Sequence, residues 1–155
     1  MNLKEIVKKK YRFGFDISGL VLFLIVMIPN FIWFAVPAPN DILREPSVTP
    51  IIDAIGSVFQ VLFVGALCFI VGKDRKTLRF SALIITTIVC VVLYFLGWIL
   101  YYNAFTEPSV ILMLTILPCL AFVFFAVDRK NVFAIAFALS FFVCHAIFGI
   151  VNFII

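Results

Sequence analysis

Charged residues are scarce in this chain and are missing from long stretches of it. Asp, Glu, Lys and Arg together make up 13% of the 155 residues, whereas 65% of the residues are hydrophobic. A typical soluble domain has about 25% charged and about 45–50% apolar residues. The scarcity of charge excludes an ordinary water-soluble domain and indicates that lipid is the main solvent of the chain.

Residues that commonly carry chemistry are also few. The sequence has one His and four Cys, and it contains no Cys-x-x-Cys pair, no His-Glu-x-x-His motif and no glycine-rich phosphate loop. Cys144 and His145 are adjacent, but neighbouring residues on a helix point about 100° apart, so they do not form a nucleophile and base pair. We therefore predict no catalytic residue, no metal and no cofactor. A lipid-modifying enzyme dependent on Cys90 or Glu107 is a third hypothesis.

The hydrophobic residues fall into five runs, and about 20 apolar residues in a helix cross the ~30 Å hydrocarbon layer of a membrane. The runs are residues 17–36, 51–72, 80–102, 108–127 and 132–155. They predict an all-α integral membrane protein, a five-transmembrane-helix bundle that forms one membrane domain over residues 1–155 with a basic segment at 1–16. Asp16 is expected to cap the first helix, and Thr49 and Pro50 to cap and begin the second.

Basic residues lie almost entirely on one side of these runs. Of twelve Lys and Arg, five precede the first run, four lie between the second and third, two lie between the fourth and fifth, and only Arg44 falls on the other side. The positive-inside rule then predicts a cytoplasmic N-terminus and a C-terminus outside. The basic start is expected to lie on anionic lipid headgroups. Nucleic acid is not an expected partner, since no basic and aromatic platform exists outside the runs.

Two short motifs recur and suggest an internal repeat. EPSV occurs at residues 45–48 and 107–110, and DRK occurs at residues 74–76 and 128–130. One interpretation is that the second and third runs, and the fourth and fifth, are parallel helical-hairpin repeats after helix one, as in some transporters. The offsets differ, 62 residues for EPSV and 54 for DRK, and convergence of short loops on similar tetrapeptides is the alternative.

Polar side chains inside the runs are the candidates for function, because they are costly in lipid and usually face protein or water. The candidates for a ligand or proton site are Asn30, Asp53, Gln60, His145 and Asn152. At ~1.5 Å of rise per residue, all five fall in the outer half of the membrane. This asymmetry predicts a shared cavity that opens to the outside and binds or passes a small solute or a proton.

Each candidate also has an interpretation without a ligand. Asp53 lies in a first helical turn, where the helix dipole stabilises a carboxylate by ~0.3–1 kcal/mol. His145 would be neutral and bonded to a neighbouring helix, and the amides would join helices. Small residues are expected where helices pack closely, at Gly56, Gly65, Gly97 and Gly149. The second functional hypothesis is therefore a non-transporting assembly or regulatory component. A homodimer is a further hypothesis, because two copies would enclose more polar volume.

The run PNFIWF followed by PAPND, behind a basic start and FGFD, resembles small uncharacterised multi-pass membrane proteins of Gram-positive bacteria. The resemblance covers roughly the first 55 residues and implies no activity. Together with the abundance of Phe, Ile and Lys, which suits an AT-rich bacterial genome, it implies a bacterial plasma membrane as the location.

Overall fold

The computed structural model describes residues 9–73 and 77–155, and this part of the chain is mostly helical. It contains five long helices, α1 (Ile17–Ala35), α2 (Pro50–Phe69), α3 (Ala82–Tyr102), α4 (Pro108–Asp128) and α5 (Val132–Phe153). A 3-10 turn covers Ile42–Arg44, and two short strands are β1 (Tyr11–Phe13) and β2 (Ile70–Gly72). All five helices are long and apolar enough to cross a membrane. The prediction of an all-α bundle with five long apolar helices is confirmed, and the helices begin and end within three residues of the predicted runs.

The starts of the helices follow from capping residues in the sequence. Asp16, Ser81 and Asn131 precede α1, α3 and α5, and each side chain accepts a hydrogen bond from a backbone N–H of the first turn. Pro50 and Pro108 begin α2 and α4, where the missing proline N–H costs no helical hydrogen bond. The predicted roles of Asp16 and Pro50 are confirmed.

The second helix is shorter than predicted. The hydrophobic run continues to residue 72, but α2 ends at Phe69 and the next three residues form β2, which pairs antiparallel with β1. The Asn131 side chain contributes to this ending, because its amide donates to the carbonyls of Ala66 (2.8 Å) and Ile70 (2.7 Å). Hydrophobicity alone does not distinguish a final helical turn from a short buried strand.

The central helix of the bundle is α4, with ten of its 21 residues buried. It packs along its length against α3 and α5, and α5 packs in turn against α2. In contrast, α1 packs more sparsely and changes neighbours along its length. Near its start Gly19 lies against Leu67 of α2, and near its end Asn30 bonds to Tyr94 of α3. We call the end that bears β1 and β2 the strand end, and the end that bears residues 36–49 the loop end.

A buried ion pair lies at the strand end. The Arg129 guanidinium nitrogen Nε is 3.1 Å from the Asp16 carboxylate, and both side chains are at most 5% exposed. The Tyr11 hydroxyl donates to the Lys130 carbonyl and accepts from Val132, which ties β1 to the α4–α5 connection. The sequence suggested that Arg129 is simply one of the basic loop residues. Instead, it is a structural charge that joins the start of α1 to the end of α4.

The structure treats the two copies of EPSV differently. Pro108 of the second copy is the first residue of α4, whereas α2 begins at Pro50, after the first copy has ended. The helices α4 and α5 are packed neighbours, but among the described residues α2 and α3 are not. Residues 74–76, the first DRK, lie outside the described residues. A duplication therefore stays a prediction.

Three of the four glycines expected at helix contacts are confirmed. A Cβ at Gly56 would lie 3.2 Å from Cys144 Cβ, and one at Gly97 would lie 2.9 Å from Met113 Cβ. A Cβ at Gly149 would lie 2.6 Å from Thr115 Cγ2. The expectation for Gly65 is wrong, since nothing in the described part of the chain lies within 4 Å of its Cβ position. A glycine in an apolar run indicates a possible close contact but does not reveal which helix face meets another helix.

Gly97→Ala and Gly65→Ala form a matched pair of variants. We expect Gly97→Ala to destabilise the protein by about 1–3 kcal/mol, because the new methyl forces α3 away from the Met113 region of α4. Gly65→Ala is expected to be neutral or stabilising by up to about 1 kcal/mol, since alanine favours helix and the space is open. Unfolding in detergent measures both effects. Equal stability of the two variants would contradict the close α3–α4 contact.

Arg129→Ala tests the buried ion pair. It leaves the Asp16 carboxylate buried without this partner, so we expect a loss of about 3–5 kcal/mol in the free energy of unfolding. Lys130→Gln is the matched control, because it removes one positive charge from the same connection but at an exposed side chain. A control that is destabilised as much as Arg129→Ala would mean that loss of connection charge, not of the pair, is responsible.

Candidate functional site

A cavity of about 390 Å³ lies between α1 on one side and α2 and α5 on the other. It exists because α1 is held against α2 near Gly19 but leans toward α3 at the loop end, which opens a wedge between the helices. Side chains of α4 close the back of the wedge, among them Pro118 and Phe122. The cavity therefore lies in the half of the bundle toward the loop end.

Four of the five predicted site residues line this cavity. They are Asn30, Asp53, Gln60 and His145. Asn152 does not line it; instead its side chain accepts from the Val48 backbone N–H (2.6 Å) and donates to Thr49 Oγ1 (2.8 Å). The fold thus brings together side chains from three helices, and whether they bind a ligand stays a prediction.

Asn30 is held in a single orientation by its neighbours. Its amide nitrogen donates to the Tyr94 hydroxyl (2.7 Å) and to the Val26 carbonyl (3.2 Å). The Tyr94 hydroxyl in turn donates to the same carbonyl. A carbonyl can only accept, so the amide nitrogen of Asn30 must face it. Both N–H groups are then occupied, and the amide oxygen, which has no hydrogen-bond donor among the described residues, is left for the cavity.

Asp53 belongs to a polar chain at the first turn of α2. The Thr49 hydroxyl donates to Asp53 Oδ1 (3.0 Å) and accepts from the Asn152 amide. Thr49 was expected to cap α2, but its side chain accepts no hydrogen bond from the backbone of the first turn. It instead links α5 to the carboxylate. Asn152 therefore supports the cavity indirectly, by fixing Thr49 beneath Asp53.

Gln60 and His145 are the least committed polar side chains of the cavity. Neither has a hydrogen-bond partner among residues 9–73 and 77–155, and both are half-buried. The His145 ring stacks between Phe141 (centroids 5.0 Å apart) and Phe148 (5.8 Å) on α5. The alternative interpretation was that the His145 side chain forms a hydrogen bond with a neighbouring helix. No such hydrogen-bond partner exists in the described part of the chain.

Sequence reasoning missed several residues of the cavity. Tyr94 fixes Asn30, and Cys144 faces the cavity as a half-buried free thiol, whereas Cys68, Cys90 and Cys119 are buried. The available signal for Tyr94 was its place in the middle of an apolar run, where a hydroxyl requires a partner. Cys144 carried no comparable signal, because cysteine packs as a small apolar residue.

The loop that follows α1 is organised around Asp41 at the loop end. Its carboxylate accepts from the side chains of Trp33 (2.8 Å), Tyr101 (2.9 Å) and Arg44 (2.7 Å), and from the Ala38 backbone. Arg44 also lies 4.8 Å from the Trp33 ring centroid. Burial alone would raise the pKa of Asp41, but the four hydrogen bonds outweigh it and hold the pKa below its usual value. This network fastens the end of α1 to α3.

Asp41→Asn tests the network, since an amide cannot accept all four hydrogen bonds. We expect a loss of about 1–3 kcal/mol at neutral pH. Because the folded-state pKa is lowered, Asp41 stabilises the wild type above the unfolded pKa of about 3.9 and loses this effect as the pH falls through the lower folded pKa. Trp fluorescence during unfolding in detergent measures both effects.

Glu45→Gln is the control for Asp41→Asn, because Glu45 is an exposed carboxylate of the same loop. It is expected to change stability by less than about 0.5 kcal/mol. An Asp41→Asn protein that matches this control at neutral pH, or that keeps the acid sensitivity attributed to Asp41, would contradict the role of the network.

Five helices in the described part of the chain have 19–22 residues and mean hydropathies of 2.0–2.8. Helices of this length and composition identify a multi-pass membrane protein whose helices contact lipid. Comparisons with protein-family models, curated proteins and solved structures find no match.

Proposed function

We propose that the protein binds a small polar solute in the cavity and exchanges it with the outside of the cell. The observation that carries this proposal is that Gln60 and His145 face the cavity without a hydrogen-bond partner in the described residues. Both side chains are half-buried within helices long enough to span a membrane, where a polar group that meets only apolar surroundings is costly. Water or a polar ligand in the cavity removes this cost, and a packed apolar interior does not.

The depth of the cavity supports binding rather than surface contact. Gln60 lies ten residues beyond Pro50, roughly 15 Å along α2. A membrane protein whose polar residues serve only helix packing would pair them between helices, as Asn30 and Asn152 do. Gln60 and His145 depart from that pattern, which favours a solute site over a purely structural role.

The proposed direction of access rests on the charge pattern of the sequence. With eleven of twelve basic residues at the strand-end side of the spans, the positive-inside rule places the strand end in the cytoplasm and the loop end outside. A bacterial plasma membrane is the proposed location. The basic N-terminus then faces the cytoplasmic leaflet, where anionic headgroups attract it.

The native Cys144 thiol can be used to test whether water outside the cell reaches the cavity. In right-side-out membrane vesicles, a membrane-impermeant trimethylammonium methanethiosulfonate is expected to label wild-type Cys144 from outside, because the thiol lines the cavity while the other three cysteines are buried. Mass spectrometry of peptides identifies the labelled residue, and Cys144→Ser is expected to abolish the labelling.

A cysteine at Val143 in the Cys144→Ser background is the matched control. Val143 is 57% exposed on the outer surface of the bundle, one residue away on the same helix, and is expected to face lipid. Ionised reagents do not enter hydrocarbon, so this cysteine is expected to stay unlabelled. Equal labelling at both positions, or none at Cys144, would contradict a water-accessible cavity and favour a protein that only assembles with or regulates a partner.

A further inference from the structure

We infer that the solute of this cavity is a small organic cation with N–H donors, such as a primary or secondary ammonium group on a compact apolar body. This inference rests on the proposed function and adds the chemical class of the ligand. Three properties of the lining carry it: its formal charge, the kind of hydrogen-bonding atom that it leaves unoccupied, and the apolar walls around these atoms.

The formal charge of the lining is negative. Asp53 is the only acidic residue among the described residues that line the cavity, and no Lys or Arg lines it. Among the described residues, Asp53 forms no ion pair, so no Lys or Arg of this part of the chain neutralises it. The first turn of α2 favours a negative charge at this position. An ionised carboxylate beside an apolar cavity attracts a cation and repels an anion.

The uncommitted atoms of the cavity are mainly acceptors. Both N–H groups of Asn30 are occupied, which leaves its amide oxygen. The Asp53 carboxylate receives the Thr49 hydroxyl on Oδ1, and Oδ2 has no partner among the described residues. Gln60 adds another carbonyl oxygen together with an NH₂ donor, and a neutral imidazole at His145 would add one acceptor nitrogen and one N–H donor. The free lone pairs of these oxygens and nitrogens still outnumber the free N–H groups. A cavity with more free hydrogen-bond acceptors than donors suits a ligand that donates several hydrogen bonds. An ammonium group with two or three N–H bonds is such a ligand.

The remaining walls of the cavity are apolar and rich in aromatic rings. Six aromatic side chains line it, namely Phe23, Phe34, Tyr94, Phe122, Phe141 and Phe148. Aromatic walls bury the hydrocarbon part of a ligand and favour a cation over a ring face. A strongly hydrated inorganic ion would lose its water without gaining contacts from these walls. The combination of one carboxylate, several acceptors and aromatic walls therefore fits an organic amine.

Protection of Cys144 from the thiol reagent tests the inference with three probes of similar shape. Benzylammonium is the cation, benzyl alcohol is the neutral analogue and benzoate is the anion. In the wild-type protein, we expect benzylammonium to slow labelling of Cys144 about tenfold at a concentration where the other two slow it less than about twofold. This corresponds to a difference in binding free energy of at least about 1.3 kcal/mol. Equal protection by the three compounds, or stronger protection by benzoate, would overturn the inference.

Asp53→Asn and Asp53→Glu give a second test on the same readout. Asparagine keeps an oxygen that accepts from Thr49 but removes the charge. Because the thiol reagent is itself a cation, labelling is compared with and without benzylammonium within each variant. The slowing of labelling by benzylammonium is then expected to drop from about tenfold to about twofold in Asp53→Asn. Glutamate restores the charge and is expected to restore most of the protection. Undiminished protection in Asp53→Asn would overturn the inference. If that variant does not reach the membrane, the three probes on the wild type decide the question alone.

The two possible failures are distinguishable. A wild-type Cys144 that no reagent labels would show that the cavity is closed to water and would overturn the proposed function together with this inference. A Cys144 that is labelled, but is protected equally by the cation, the alcohol and the anion, would leave the solute site in place and overturn only the assignment of a cationic ligand.

Discussion

The attachment of α1 to different neighbours at its two ends is the constraint on which the rest of the structure depends. At the strand end, Gly19 allows α1 to approach the backbone of Leu67, and the backbone of Asp16 donates to Cys68. At the loop end, Asn30 is bonded to Tyr94 of α3. A helix that begins beside α2 and finishes beside α3 diverges from α2 along its length, which leaves space between its far half and α2.

Polar groups beyond these two contacts also hold both ends of α1 in place. The Asp16–Arg129 pair at the strand end is buried, and at the loop end Asp41 collects four donors. Hydrophobic burial does little to drive helices together within lipid, so helix contacts there depend on packing and hydrogen bonds. Attachments of this kind at both ends explain how α1 keeps its position although it packs sparsely along its middle.

The sequence was sufficient to predict the five helices, because each apolar run is long and is separated from the next by a charged or proline-rich segment. It also identified the four polar residues that the structure brings to one cavity, since polar groups are rare enough in these runs to be noticed one by one. The sequence could not predict which helices pack against each other. Nothing in the run of α1 indicates that Gly19 meets Leu67, or that β1 pairs with the residues after α2.

The separate fates of Asn152 and Gln60 show why polarity alone could not define the site. Both are amides that the sequence assigns to the outer half of the membrane with the same weight. Asn152 lies one residue before the end of α5, where the backbone of residues 48 and 49 is within reach, so its hydrogen bonds are used to hold that segment. Gln60 lies in the middle of α2, opposite the wedge that α1 leaves open, and no backbone or side chain of the described residues reaches it. The closeness of residues 48 and 49 therefore makes Asn152 structural, whereas the position of α1 leaves Gln60 facing the cavity.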